Sequence, residues 1–286
     1  MAIANVKQMI EAELAGRVRT YSWRKTPSQA TTAGIWFDLS MSPGNPKAKL
    51  WFDATPLTAQ AIAQSSDGGI FHGADTSPYS QYLRNTMCMT VTATALPMQM
   101  ILCDYLLYYP SIDESVTDPQ EMDNTLTLPR YTDGAGVQVM AVTLASRTGG
   151  QTFRFSYTNQ DGVSGRTSQT VIENSATAIG TIATAATATD VAVNPFIGLQ
   201  EGDTGVRSIE SVTMNGVDTG LFALLLVKPL AVTMIRGIDA VVEKDFLMHG
   251  ATMPEIEDDA FLNYVCLPQG SLAATALIGD LKVIWN

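Results

Sequence analysis

Hydrophobic and polar residues alternate along much of the chain after residue 87, which is the pattern of half-buried β-strands. TMCMTVTATA (residues 86–95) places Met87, Met89 and Val91 two residues apart, and TFRFSYT (152–158) alternates in the same way. Roughly ten such segments with frequent turns between them predict a mainly β protein. The body is predicted to be a β-sandwich or jelly roll.

Three details refine this prediction. The pair Asn215-Gly216 tolerates positive φ at both positions, so it predicts a hairpin between the strands on either side. GLFALLLV (220–227) is apolar on both faces, so this strand is expected in the middle of the structure. The polar segment from Asn159 to Gly162 is interpreted as a hairpin corner, and not as a calcium loop.

The N-terminal residues follow a helical period. Residues 2–16 predict a helix that Asn5 caps and Gly16 ends. Its apolar stripe consists of Ile3, Val6, Ile10 and Leu14. We expect this stripe to pack on a partner surface, because a helix this short is unstable alone.

Residues 17–53 are rich in Trp, Pro, Ser and Thr, and they predict an extended arm followed by a hairpin of GIWFDLS (34–40) and KAKLWFD (47–53). The predicted organisation is therefore a helix and docking arm in residues 1–60 and an acidic β-sandwich body in residues 61–286. An alternative divides the body into two β units near residues 175–200. The Ala- and Thr-rich residues 175–193 are interpreted as a connection with a short helix.

Charge is unevenly distributed along the chain. Residues 1–50 hold seven basic and three acidic residues, a net charge of +4, whereas the other 236 residues hold ten and 25, a net charge of −15; the two sum to −11. A basic segment on an acidic body predicts docking to a negatively charged partner. The predicted docking residues are Arg17, Arg19, Tyr21, Trp23, Arg24 and Lys25.

A protein partner is favoured over nucleic acid, although aromatic and basic side chains interleave in this segment. The acidic body would repel a polyanion, so no nucleic-acid partner is expected. The alternative is that the basic segment packs against its own acidic body.

The sequence contains no motif for catalysis or for phosphate binding. GxSxG, GxGxxG and GxxxxGK[ST] are absent. His72 and His249 are interpreted as turn histidines bonded to the backbone, and Cys88, Cys103 and Cys266 as buried free thiols. We therefore predict a protein that is not an enzyme, with no catalytic residue and no cofactor.

Two acidic clusters are interpreted as solvated loops, with calcium binding and glycoside hydrolysis as alternatives. They contain Asp113, Glu114, Asp118, Glu121 and Asp123, and Glu255, Glu257, Asp258 and Asp259. Neither matches EF-hand spacing, so no metal site is assigned. Residues 1–20 lack the apolar core of a secretory signal and no run of about 18 apolar residues occurs, so no membrane partner is expected.

FRFSYTNQDGVSGR (153–166) and LLYYPSID (106–113), within an acidic Ala- and Thr-rich β body, resemble stretches of head-associated structural proteins of tailed-bacteriophage virions. The resemblance implies a non-catalytic virion protein, assembled in the bacterial cytoplasm, that contacts the major capsid protein or other virion proteins. A capsid decoration (cement) protein is favoured, because the chain is shorter than most shell proteins and lacks their long amphipathic helix. The doubly apolar GLFALLLV and the Ala- and Thr-rich surface predict a homo-oligomer, with a monomer as the alternative. The resemblance favours a trimer, because cement proteins commonly cluster at threefold positions of a shell.

Two other classes remain open at this point. A receptor- or carbohydrate-binding β module, as in a tail or adsorption component, would use aromatic rings such as Trp36 and Trp51 to stack on sugars. An enzyme, chiefly a glycoside hydrolase, would use paired carboxylates.

Overall fold

The computed structural model describes residue 3, residues 5–183, residues 194–249 and residues 252–286. It is mainly β, as the alternating pattern predicts. The helices are α1 (Val6–Leu14), α2 (Gln64–Asp67) and α3 (Phe246–His249), with a 3₁₀ turn at Leu39–Met41. The strands are β1 (Val18–Lys25), β2 (Phe37–Asp38), β3 (Gly44–Asn45), β4 (Gln60–Ala61), β5 (Gln81–Thr90), β6 (Met98–Asp113), β7 (Gln120–Glu121), β8 (Gln138–Ala145), β9 (Thr152–Asn159), β10 (Arg166–Thr167), β11 (Val171–Ile172), β12 (Val206–Asn215), β13 (Leu221–Ile235), β14 (Val242–Asp245), β15 (Glu255–Ile256), β16 (Phe261–Leu267) and β17 (Leu277–Trp285).

The strands form three antiparallel sheets. Sheet I has the order β14-β5-β17-β1-β3, with β15 also paired to β5. Sheet II has the order β2-β16-β6-β13-β8, with β4 also paired to β6. Sheet III has the order β10-β9-β12-β7, with β11 also paired to β9.

Sheet II is the central layer, because one of its faces is shared between two cores. At one end of β6, Met98, Met100 and Leu102 pack in a core with Trp23 and Leu281 of sheet I. Toward the other end, residues of the same strand pack against sheet III; this second core includes Leu106, Tyr109, Phe155, Tyr157 and Val212. The body is thus a β-sandwich in which two sheets lie against one long sheet.

The opposite face of sheet II is covered by loops from the first part of the chain. Trp36, Trp51 and Ile62 pack there with Leu225 and Val227 of β13. Residues 222–227 are all fully buried. The prediction that GLFALLLV occupies the middle of the structure is therefore confirmed, and both faces of this strand are filled by its own chain.

Two turn predictions have different outcomes. Residues 159–162 do form a hairpin corner between β9 and β10, where Gly162 has a φ of +76° and Asp161 N–H donates to Asn159 Oδ1 at 3.0 Å. The prediction of a hairpin at Asn215-Gly216 is wrong, because β12 pairs within sheet III and β13 pairs within sheet II. Residues 216–220 cross between the sheets, with positive φ at Gly216 and Gly220.

The basic segment is a strand inside a sheet and not an extended arm. β1 pairs with β17 over its whole length, from Val18 opposite Ile284 to Lys25 opposite Leu277, and its last two residues also pair with β3. Its alternating side chains supply the core between sheets I and II, which a free arm would leave unfilled. This pairing joins the predicted docking arm (residues 1–60) to the predicted body (residues 61–286) in one sheet, so it crosses the predicted boundary between them.

The hairpin predicted for residues 34–53 is also absent. Phe37–Asp38 pairs with β16, and Gly44–Asn45 pairs with β1. Of the first predicted strand only Phe37–Asp38 is a strand, Gly44–Asn45 comes from the predicted turn, and residues 47–53 contain no strand. Of the predicted connection at 175–193, residues 176, 181 and 182 form isolated bridges with Arg147, Phe37 and Val142. Residues 175–183 contain no part of the predicted short helix, and residues 184–193 lie outside the described residues.

Candidate interaction surface

Of the six residues predicted to dock a partner, Arg17 precedes β1, and the pleat of the strand places Arg24 on the face opposite Arg19, Tyr21, Trp23 and Lys25. Trp23 and Lys25 point into the body and are 2% and 1% exposed, so they cannot contact another molecule. Trp23 stacks on Tyr264 with 4.8 Å between ring centroids. Successive side chains on a strand point to opposite faces, so a strand position inside a sandwich necessarily buries half of such a segment.

Lys25 has a structural role within the first part of the chain. Its ammonium donates to the carbonyl oxygens of Ser42 at 3.0 Å and of Ser40 and Lys47 at 3.4 Å each. Burial lowers the pKa of Lys25 to about 8, against the opposing effect of the nearby Asp38 carboxylate. The basic character of this residue is used to hold three carbonyl groups, and not to bind a negatively charged partner.

Arg17 directly precedes β1, and Arg19 and Tyr21 lie in its first half. Arg17 donates to Asn286 Oδ1 at 2.7 Å and lies over the Tyr79 ring, and the half-buried Tyr21 packs edge-on against Phe71. Arg19 is exposed, and its guanidinium lies 5.6 Å from the centre of the Trp285 ring.

Arg24 is exposed on the outer face of sheet I, away from the core, where it lies opposite Ile278 of β17. Ile278 in turn lies opposite Met89 of β5, and both side chains are half-buried.

Helix α1 covers one end of this outer face. The side of the helix that packs on the sheet is not the apolar stripe that the sequence pattern predicted to pack. Met9 and Ala12 are buried against Tyr82 and Ile284. Glu13 forms an ion pair with Lys282 at 3.3 Å. The cap is as predicted, because Asn5 Oδ1 accepts from Gln8 N–H at 3.0 Å, and Gly16 follows the helix with a φ of +71°.

Three of the four residues in the predicted apolar stripe consequently face outwards, whereas Ile3 is half-buried and packs in the same cluster as Met9. Val6, Ile10 and Leu14 are 50%, 48% and 84% exposed. These three side chains lie four residues apart and form a continuous ridge. We call this ridge together with Arg24, Ile278 and Met89 the outer surface of sheet I.

A second group of exposed apolar side chains lies at the β14 edge of sheet I. It surrounds a groove of about 300 Å³, which is lined among others by Met234, Arg236 and Lys244. Val232, Met234, Ile238, Val241 and Met248 are between 41% and 74% exposed. We call this feature the β14 groove.

The residue types that support catalysis are buried or separated from one another. His72 is 3% exposed, with Nε2 3.0 Å from the Ala260 carbonyl oxygen and Nδ1 2.7 Å from Gln81 Oε1, and burial lowers its pKa. The three cysteines are free and buried, as predicted, and burial raises the pKa of Cys88 to about 11. A thiol with a pKa this high is a poor nucleophile.

The aromatic residues considered for sugar stacking are inaccessible. Trp36 is 1% exposed and Trp51 is fully buried. Trp51 Nε1 donates to Asp38 Oδ2 at 2.7 Å, and its ring stacks on Tyr105. These two rings serve the core, so they offer no platform for a carbohydrate.

The acidic loops differ from their prediction at one position. Asp118 and Glu121 are exposed, as expected for solvated acids, but Glu114 is fully buried. Within the described part of the chain, one group of carboxylates is close enough together to hold a metal ion, namely Glu114, Glu173 and Asp218. Sequence reasoning missed it because Glu173 and Asp218 come from distant segments and belong to no acidic run.

Comparison with known proteins identifies no family for this chain. No family model matches it, and no curated protein matches it. The structure is similar to that of the infectious bursal disease virus VP2 subviral particle, with a TM-score of 0.18 and 11% identity over 94% of this chain and 81% of that chain. Structures of the Gx and Gt strains of the same virus give TM-scores of 0.18 and 0.17, with 11% and 6% identity. Such scores are too low to support an inference about fold or function.

Among the described residues, no helix has both the length and the apolar character needed to cross a membrane.

Proposed function

We propose that this chain is a non-catalytic structural protein of a virus particle, which binds and stabilises the capsid shell as a decoration protein. The observation that carries the proposal is the outward ridge of α1. Val6, Ile10 and Leu14 remain exposed although the opposite side of the helix is packed on sheet I. A helix anchored in this way presents a preformed apolar ridge for a protein groove.

Arg24, toward the other end of the same face of sheet I, adds to the chemistry of the partner. Arg24 takes part in none of the ion pairs found between described residues, and it lies beside the half-buried Ile278. A complementary surface has an apolar groove for the ridge and an acidic residue for Arg24. In this proposal the major capsid protein supplies that surface.

The test is sedimentation of the purified chain with capsid shells of the virus that encodes it, prepared without this protein. We expect the wild-type chain to co-sediment with the shells. The double variant Ile10→Glu, Leu14→Glu is expected to remain in the supernatant, because it places two charges on the ridge. Both positions are exposed, so the variant should keep the wild-type circular dichroism spectrum.

Val163→Glu is the matched control for this experiment. Val163 is 50% exposed, like the ridge, but it lies at the hairpin corner of sheet III. This control variant should co-sediment like the wild type. Failure of the wild type to bind shells, or equal binding by the ridge variant, would contradict the proposal.

We further propose that the chain forms a homotrimer through the β14 groove. The apolar faces of β13 at residues 222–227 are filled within the chain, so they cannot supply this contact. β14 is instead an edge strand with exposed apolar neighbours, a feature that favours association with another copy. Light scattering should give a mass near three times 30.7 kDa, and Met234→Glu should reduce it to that of one chain. A wild-type mass of one chain that does not change on concentration would contradict the trimer in solution.

A further inference from the structure

Segments that lie far apart in the sequence bring three carboxylates together at the junction of sheets II and III. Glu114 directly follows β6, Glu173 directly follows β11, and Asp218 lies in the connection between β12 and β13. One oxygen of each carboxylate lies within 4.8 Å of the corresponding oxygen of the other two. We call these three residues the carboxylate cluster.

The cluster is buried and incompletely hydrogen-bonded. Glu114 is fully buried, Glu173 is 2% exposed and Asp218 is 6% exposed. Neither carboxylate oxygen of Glu173 accepts a hydrogen bond from the described residues, and neither does Glu114 Oε2. A buried carboxylate without partners is costly, so these three oxygens require a positively charged or proton-donating ligand.

One basic side chain reaches the cluster, and its charge is insufficient. Arg147 Nη1 donates to Glu114 Oε1 at 3.0 Å. Its Nε and Nη2 donate to the backbone and side-chain oxygens of Asn174. Three carboxylates and one guanidinium leave a formal charge of −2, which one divalent cation neutralises.

The third carboxylate is held in place by the backbone. Asp218 Oδ2 accepts from Gly149 N–H at 2.6 Å, and Oδ1 accepts from the N–H groups of Thr219 at 2.6 Å and Thr148 at 3.2 Å. Gly220 leaves space beside the cluster, because a Cβ atom there would lie 2.8 Å from Glu114 Oε2. The oxygens are therefore preorganised by the folded chain.

We propose that the carboxylate cluster binds one Ca²⁺ ion. The donors are all oxygen atoms, which this hard cation prefers, at Ca–O distances of about 2.3–2.6 Å. Ligand oxygens on such an ion are at most about 5 Å apart, so three oxygens within 4.8 Å of one another are close enough to share it. Bound there, the ion connects the ends of β6 and β11 to the β12–β13 connection.

A proton competes with the cation for the cluster. Burial, reinforced by the charge of Glu114, raises the pKa of Glu173 to about 8. Burial also raises the pKa of Glu114 against the effect of Arg147, whereas the backbone N–H groups around Asp218 outweigh burial and lower its pKa. Buried carboxylates with missing hydrogen bonds therefore favour a bound cation or proton over an empty site.

Isothermal titration of the chelator-treated chain with CaCl₂ tests the proposal. We expect one equivalent of Ca²⁺ to bind and to raise the melting temperature. Glu173→Gln should abolish binding, because it keeps the shape of the side chain but removes its charge. Asp118→Asn, which changes an exposed acid of the neighbouring loop, is the matched control and should bind like the wild type.

Hydrogen exchange provides a measurement that does not depend on a variant. Calcium should slow exchange of the Thr148, Gly149 and Thr219 amides, which donate to Asp218 in the cluster. Absence of binding to the wild type, or full binding by Glu173→Gln, would overturn the site. Unchanged exchange of these three amides at saturating Ca²⁺ would overturn it as well.

Discussion

Trp23 of β1 lies directly opposite Gly279 of β17, and the indole ring occupies the space that a side chain at position 279 would need. A Cβ atom built on Gly279 would lie 2.7 Å from the indole ring and 2.2 Å from the Met87 carbonyl oxygen. The pair fixes β1 at its place in sheet I, so Trp23 contributes to the core between sheets I and II.

Gly279→Ala should therefore destabilise the protein. Neither the indole nor the backbone of β5 can move away without disturbing the sheet, and overpacking of this kind costs about 1–3 kcal/mol or more. Urea denaturation measures the change. Gly165→Ala is a partial control, because it adds the same methyl group where no atom lies within 4 Å, although its φ of +71° carries a backbone cost. If Gly279→Ala lowered the free energy of unfolding no more than Gly165→Ala, the predicted overpacking at position 279 would be contradicted.

Two truncations should have different effects. Deletion of residues 1–15 removes α1, whose contribution to the core is chiefly the burial of Met9, worth about 1.5–3 kcal/mol. Deletion of residues 1–25 also removes β1 and with it Trp23, so we expect an insoluble or unfolded product. Circular dichroism and gel filtration distinguish the two. A soluble, folded chain that lacks residues 1–25 would show that β1 is dispensable.

The buried pair of Asp104 and Arg130 should be intolerant of a change in one partner. Arg130 Nε donates to Asp104 Oδ2 at 2.9 Å and Nη2 donates to Oδ1 at 2.8 Å. Burial raises the pKa of Asp104 to about 6 even with this partner present. Arg130→Met should cost about 3–5 kcal/mol in the free energy of unfolding, because it leaves the carboxylate unpaired.

Chemical denaturation measures this cost, with Arg154→Met as the control at an exposed position. The double variant Asp104→Asn, Arg130→Met should be more stable than Arg130→Met alone, since no unpaired charge remains. A double variant less stable than Arg130→Met would contradict a dominant effect of charge.

Stability without calcium should fall as the pH rises from about 4.5 to about 8. The pKa of Glu173 is about 8 in the folded chain and near 4.3 when unfolded, so the folded state binds the extra proton in this interval. Loss of this proton lowers the free energy of unfolding by at most about 1.4 kcal/mol per pH unit. Denaturation at several pH values measures the slope, and Glu173→Gln should reduce it. A slope unchanged by this substitution would assign the pH dependence to other groups.

The sequence pattern was sufficient for the local structure but not for the pairing of strands. Alternation in residues 152–158 and the doubly apolar β13 were interpretable because burial on one or both faces leaves a direct pattern. The sheet that each strand joins could not be predicted from the pattern. Asn215-Gly216 is compatible with a hairpin or with a crossing between sheets, and only contacts with β6 and β9 decide that β12 and β13 separate.

In the interaction surface and the carboxylate cluster, too, local features could be predicted from the sequence and contacts between distant segments could not. Met9 and Ala12 are less apolar as a set than the stripe of Val6, Ile10 and Leu14, yet they are the side chains that fit against Tyr82 and Ile284. Asn5 could be predicted as the cap because that interaction is local. Glu173 could not be associated with Glu114, because sheet packing alone brings them together.

The position of β17 has a consequence for synthesis of the chain. β1 ends at Lys25 and pairs with β3 over two residues only, so most of its hydrogen-bonding groups have no partner until Leu277 and the residues after it are made. In sheet I, β17 lies between β1 and β5, so neither strand can form this pairing until β17 has been synthesised. Sheet I therefore closes late, and chaperones that shield open strand edges have their longest opportunity to act on β1 and β5.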